Sequence, residues 1–178
     1  MSIHEIVLPE TKPETEWVRG RALKKTGGTY THGALQLELG SLLRVWAANG
    51  HGRVGSEWRF RVAPPGKVVR PLVPDLAYLS YDALPEDAPD EAVAAPLCSP
   101  TVAIEILSPD RRPDVEDKIA TYLAAGTAAV MVVDPRRRTI AVHDAVGASV
   151  LEKDDVLCLT AMPGFAVSVE EVFRRAKR

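Results

Sequence analysis

Thr101-Val102-Ala103-Ile104-Glu105-Ile106-Leu107, then Asp114-Val115-Glu116-Asp117-Lys118-Ile119-Ala120-Thr121-Tyr122-Leu123, then Ala128-Ala129-Val130-Met131-Val132-Val133 decide the fold. The first segment is a short apolar run with β-branched residues and predicts a strand. Val102, Ile104 and Ile106 share one face, and Ala103, Glu105 and Leu107 share the other. The second segment predicts a helix, with Ile119, Tyr122 and Leu123 as its apolar face. Asp114 is its expected cap, Asp117 completes a capping-box-like pair, and Gly126 is its stop. The third is a continuous apolar run, as suits a central strand buried on both faces. A strand–helix–strand crossover of this kind is right-handed and sets strand and helix side by side.

Earlier in the chain, residues 1–14 are polar, contain Pro9 and Pro13, and read as an arm or loose first strand. Glu16 to Leu23 predicts a hairpin turning at Arg19-Gly20, and Gly27-Gly28 a loop. Thr31 is the expected cap of a helix running to about Ala48, with Leu35, Leu39, Leu42, Leu43 and Trp46 as its buried stripe. Glu57 to Val62 alternates as a strand does, and Val68 to Arg70 and Val73 to Ser80 are further extended pieces. Pro71 and Pro74 suit an edge or a strand start. Residues 82–96 are acidic and rich in Ala and Pro, which predicts a loosely ordered surface excursion.

Beyond the deciding segment, Asp134-Pro135-Arg136-Arg137 is a turn into the strand Thr139–His143. Val150-Leu151 and Val156 to Leu159 predict a short hairpin around Asp154-Asp155. Ser168-Val169-Glu170-Glu171 is a capping box that opens the last helix, with Val172 and Phe173 inward. The sum is an α/β (α+β) fold: a mixed central β-sheet flanked by helices, with an N-terminal β-hairpin. With 178 residues, the chain holds one domain, over 15–178, behind the 1–14 arm.

Asp75 and Glu105 each fall inside an apolar, β-favouring stretch, where an ionised carboxylate is costly without a compensating cation or donor. Lys118, one turn into the following helix, can reach back over the strand end. Two carboxylates and the Ile106 carbonyl offer oxygen ligands for Mg²⁺, with Lys118 to orient or deprotonate water or to neutralise transition-state charge. Plainer readings make Asp75 a turn or cap residue, pair Glu105 with Lys118 in a structural ion pair, or leave Lys118 as an ordinary solvated helix residue.

The net charge of −2 and pI near 6.1 give no whole-molecule attraction for nucleic acid. Local basic patches remain: Arg111-Arg112, Arg136-Arg137-Arg138, and Arg174-Arg175 with Lys177-Arg178. Cys98 and Cys158 form no CxxC pair and read as small hydrophobes. No signal peptide or membrane span is expected, so the expected location is cytoplasmic.

Pro74-Asp75, Glu105-Ile106-Leu107-Ser108-Pro109, Arg111-Arg112…Asp114…Lys118…Tyr122…Ala125-Gly126 and Val132-Val133-Asp134-Pro135 occur in an order that closely resembles the Uma-type "putative restriction endonucleases" of bacteria, within the PD-(D/E)XK nuclease superfamily. Glu16-Trp17-Val18-Arg19-Gly20, His32, Met162-Pro163-Gly164-Phe165 and Val172-Phe173 extend the resemblance to about residues 15–173. It implies a restriction-endonuclease-like core and a Mg²⁺- or Mn²⁺-dependent endonuclease acting on DNA as a homodimer. Asp75 and Glu105 would be metal ligands, with Glu38 as an additional one, and Lys118 the catalytic lysine. His32, Arg111 and Arg112 would contact substrate. In the superfamily's common pattern the lysine stands two residues after the acidic residue; Leu107 holds that place here, and the family pattern moves the amine to the following helix.

Three functions follow from these residues: the DNA endonuclease, a catalytically silent nuclease-fold module that binds nucleic acid or a protein, and a hydrolase of some other phosphoester.

Overall fold

The computed structural model describes residues 4–25, 28–109 and 111–177. The expected loop residue Gly27 and the tail residue Arg178 lie outside them. An N-terminal hairpin pairs β1 (Thr15–Val18) with β2 (Arg21–Lys24). Arg19 (φ 50°) and Gly20 (φ 73°) make the left-handed two-residue turn that matches strand twist. Helix α1 (Tyr30–Ala47) follows, then β3 (Gly52–Ser56), β4 (Phe60–Val62), β5 (Arg70–Leu72), β6 (Leu76–Ser80), the short α2 (Asp90–Ala94) and β7 (Val102–Ile106). The chain continues through α3 (Arg112–Ala124), β8 (Ala129–Asp134), β9 (Thr139–His143), β10 (Ala148–Glu152), β11 (Val156–Leu159), β12 (Met162–Ser168) and α4 (Val169–Arg175).

Six strands form the central mixed sheet in the order β10-β9-β8-β7-β6-β3. Only β7 and β8 are parallel, joined by α3 as the sequence predicts; the other neighbours are antiparallel. One face packs Ile104, Ile106 and Met131 against Leu35, Leu39 and Leu43 of α1 and Val172 and Phe173 of α4. The other packs Ala103 and Val130 against Tyr122 of α3, Val18 of β1 and Phe60 and Leu72 of the β4–β5 pair. Period-two alternation along β7 therefore sends Ile104 and Ile106 to one layer and Glu105 to the layer of α3. All five residues of β7 are buried.

Several expectations need correction. The cap of α1 is Thr29, whose hydroxyl accepts from the His32 amide, so the helix starts before Thr31. Asp114 does not cap α3. The helix starts at Arg112, with Pro113 suited to its first turn, and the cap position, Arg111, makes no side-chain cap bond. Strand β3 was not expected, because Gly52 and Gly55 dilute its pattern; it forms because β6 offers it a full ladder. Of the alternating 57–62 segment only Phe60–Val62 is strand. Val150-Leu151 and β11 do not pair with each other: β10 completes the central sheet through β9, and β11 pairs with β12. Strand β12 hides in sequence behind Pro163-Gly164, which resembles a turn.

The acidic excursion is tethered. The Arg53 guanidinium donates to the carbonyls of Leu84, Pro85 and Glu86, and the Trp58 indole to that of Val93. The arm is tied by Glu5–Arg61 and Glu14–Arg59 ion pairs. Cys158 is exposed, not a small core residue. No helix among the described residues is long and apolar enough to cross a membrane.

Candidate functional site

The β6–β7 ladder stops at Leu76↔Ile104, which leaves the Ile106 amide without a strand partner. Asp75, the residue before β6, supplies one: its Oδ2 accepts from Ile106 N at 2.6 Å. A carboxylate at this point closes an otherwise unsatisfied buried donor and fixes Asp75 beside Glu105. From α3, Lys118 Nζ lies 2.7 Å from Glu105 Oε1, 2.7 Å from Glu16 Oε2 and 3.0 Å from the Val73 carbonyl. Glu16 comes from β1 and also accepts from the Val73 amide at 3.0 Å. At the end of β2, Lys25 Nζ reaches Asp75 Oδ1 (2.8 Å), the Val73 carbonyl (2.9 Å) and Glu57 Oε2 (3.2 Å). His32 Nε2, in the first turn of α1, stands 3.4 Å from Asp75 Oδ2.

Three buried carboxyl groups thus face two lysine amines. Glu16, Asp75, Glu105 and Lys118 are each no more than 4% exposed, so these charges interact in a weakly screened setting. Burial by itself would raise the Asp75 carboxyl. Lys25, His32 and Lys118 outweigh burial and hold it well below the usual carboxylate range. Burial dominates at Glu105: against Lys118, and with help from Asp75, it pushes the carboxyl up to about 7. The Lys118 amine is also buried, but Glu105, Glu16 and Asp75 keep it protonated well above the ordinary lysine range. The Asp75 bond raises the His32 imidazole against its partial burial.

Of the residues singled out in sequence, Asp75, Glu105, Lys118 and His32 meet around one small cleft of about 40 Å³, and Arg111 stands at its rim. The Arg111 guanidinium donates to the Lys24 carbonyl (3.0 Å). Arg112 turns the other way, exposed, 3.7 Å from Asp134 Oδ2. Glu38 is not brought to the cleft. It sits two residues past Gln36, which donates to the Asp75 carbonyl, and a turn of about 200° separates two such positions on a helix. Glu16 and Lys25, which the residue-by-residue reading assigned no role, complete the site. The only sequence signal for Glu16 was its place in the Glu16-Trp17-Val18-Arg19-Gly20 motif; Lys25 had none.

The donor chemistry suits a hard divalent cation, since every carboxyl here is an oxygen ligand. Glu105 Oε1 is moreover a buried oxygen with an ionic neighbour but no well-directed hydrogen bond among the described residues. Among the described residues no three His, Cys, Asp or Glu side chains are already arranged to hold a metal. Lys25 and Lys118 occupy the positions between them.

A mixed sheet flanked by helices, with acidic groups at the end of the β6–β7 ladder facing a lysine on the crossover helix, places the molecule among nuclease-like folds. The chain belongs to the Uma2 family, described as "Putative restriction endonuclease", whose profile matches residues 4–170. A solved structure from Anabaena variabilis ATCC 29413, titled a "putative nuclease belonging to DUF820", superposes with a TM-score of 0.83. It is 25% identical in sequence, and the match covers 95% of this chain and 94% of that one. No curated protein matches the chain.

Proposed function

We propose that the protein is a Mg²⁺- or Mn²⁺-dependent endonuclease that hydrolyses DNA phosphodiesters. The observation that carries this reading is the meeting of Asp75, Glu105 and Lys118 at the end of the β6–β7 ladder, all buried and within one cleft. Asp75 and Glu105 would hold the metal, with Glu16 able to lend a third carboxylate. The bound ion would supply Lewis acidity and a water acidified for attack. The Lys118 ammonium would stabilise charge on the phosphoryl oxygens, held in place by Glu16 and the Val73 carbonyl. His32 and Arg111, at the mouth of the cleft, would meet the scissile phosphate and its neighbour. Arg112, turned toward Asp134, is left out of this reading.

The same geometry favours a second reading at one point. Both lysines already neutralise the carboxylates, and no three-ligand cluster is preformed among the described residues. This describes a silent module equally well: the nuclease fold retained to bind nucleic acid or a protein.

Supercoiled plasmid incubated with wild-type and Lys118→Ala protein in Mg²⁺, Mn²⁺ and EDTA separates the two. Metal-dependent nicking by the wild type, absent from the variant, is expected. If neither protein nicks any DNA form, and calorimetry shows no Mg²⁺ or Mn²⁺ uptake with Asp75 and Glu105 intact, the silent module is correct.

A further inference from the structure

Both oxygens of the Asp75 carboxylate are engaged. Oδ2 accepts from the Ile106 amide and stands 3.4 Å from His32 Nε2, and Oδ1 is taken by Lys25 Nζ at 2.8 Å. The Lys25 ammonium sits among three oxygens, as a small cation does: Asp75 Oδ1, the Val73 carbonyl at 2.9 Å and Glu57 Oε2 at 3.2 Å. A divalent ion ligated by Asp75 would share that carboxylate with an ammonium, and like charges so close repel strongly where screening is weak.

Charge balance decides which lysine gives way. Glu16, Asp75 and Glu105, when ionised, carry three negative charges, and Lys118 cancels one of them. The two that remain match one divalent ion, with His32 neutral. With Lys25 also in place only one remains, and a divalent ion would leave the buried cluster with an uncompensated charge. Lys118 is also the less able to leave. It projects from α3, is 2% exposed and is held by two carboxylates and the Val73 carbonyl. Lys25 follows the last residue of β2, which lies in a two-stranded sheet with β1. The outermost of its three partners, Glu57, has a side chain 40% exposed.

Glu57 is placed to receive the ammonium. Its Oε1 accepts from Gln36 Nε2 at 3.1 Å, and its amide donates to the Asp75 carbonyl at 3.2 Å. It is therefore fixed beside Asp75, yet it does not line the cleft. Its backbone is left-handed, φ 50°, a conformation that glycine or asparagine adopts more easily and that concentrates at functional positions. A glutamate there supplies what those residues lack, a carboxylate.

We propose that Lys25 is a displaceable internal counter-ion that sets the affinity of the cleft for a divalent cation. Uptake of the ion at Asp75 and Glu105 drives the Lys25 ammonium off Asp75 and onto Glu57, and loss of the ion returns it. The inference rests on the metal-dependent reading above and adds to it the residue that controls loading.

The test is calorimetric titration of Mn²⁺ into the full chain at about pH 8, above the Glu105 value, with circular dichroism to verify folding. Lys25→Met, which keeps the side chain's length without its charge, binds Mn²⁺ about tenfold or more tightly than wild type. Glu57→Gln binds it about fivefold or more weakly, because the displaced ammonium loses its seat. In the Lys25→Met background Glu57→Gln changes affinity by less than about twofold, since no ammonium is left to receive. Asp75→Asn added to Lys25→Met abolishes uptake. Equal affinity in wild type and Lys25→Met overturns the proposal and leaves the metal site standing. So does an effect of Glu57→Gln that is the same with and without Lys25, or uptake that survives Asp75→Asn. If Lys25→Met fails to fold, unchanged affinity in Glu57→Gln alone overturns the proposal. No uptake by wild type or by Lys25→Met sinks the metal-dependent reading itself, and the proposal with it.

Discussion

Lys118 holds two buried carboxylates, Glu16 and Glu105, and a buried carbonyl at once. Removing one member of a buried ion-pair set leaves uncompensated charge, so Lys118→Ala should lower unfolding stability by about 3–5 kcal/mol, measured by urea denaturation near neutral pH. A loss under about 1 kcal/mol would mean that water reaches these charges. Tyr122 gives the opposite case. Its hydroxyl is fully buried with no hydrogen-bond partner among the described residues, so Tyr122→Phe should hold or raise the melting temperature. A clear drop would reveal an undetected hydrogen bond. His32 sets a pH dependence. It binds its proton more tightly folded than unfolded. The stability it shares with Asp75 is therefore complete below its ordinary 6.5 and is lost as pH rises through the higher folded value. Melting temperatures of wild type and His32→Gln should differ most near pH 5.5 and converge at alkaline pH. Glu105 behaves as a carboxyl raised from 4.5 to about 7, so Mg²⁺ uptake measured by calorimetry should weaken as pH falls through 7.

At the scale of elements, turn and cap chemistry is mostly local and was legible in part: at α4 and the first hairpin, but not at α1 and α3, where the expected caps Thr31 and Asp114 do not hold those places. Ser168 caps α4 by accepting from the Glu171 amide, and Arg19-Gly20 turns the first hairpin. Thr29 caps α1, so Thr29→Ala should cost about 1 kcal/mol, read as a shift in urea midpoint; no shift would mean that the helix start is held by packing alone. The β7–α3–β8 unit was legible because three different patterns follow one another without interruption: alternation, helical spacing, then a solid apolar run. Strands β3 and β12 were not, since Gly52-Arg53-Val54-Gly55-Ser56 and Met162-Pro163-Gly164-Phe165 owe their conformation to neighbours rather than to their own residues. The candidate site divides the same way. Asp75 and Glu105 stand out as charges in apolar strands, whereas Glu16 and Lys25 look like ordinary hairpin residues until α3 and β6 are brought against them.

At the scale of the molecule, Lys25 and Lys118 balance the buried carboxylates, so the fold should not lean on metal. Melting in EDTA should match melting in metal-free buffer, in contrast to domains whose metal is part of their folding free energy. Destabilisation by EDTA would point to an ion bound during folding. The hairpin that closes the site also has a consequence in time. It joins α3 through contacts such as Arg19–Asp117, 98 residues apart, and joins β6 through Lys25–Asp75, 50 residues apart. A chain made from its N-terminus at about 5–20 residues per second presents the hairpin first, its partner Asp75 roughly 3–10 s later and its partner in α3 roughly 5–20 s later. A half-made chain therefore holds no assembled cleft, and any cutting power arrives only once most of the polypeptide has been synthesised and folded.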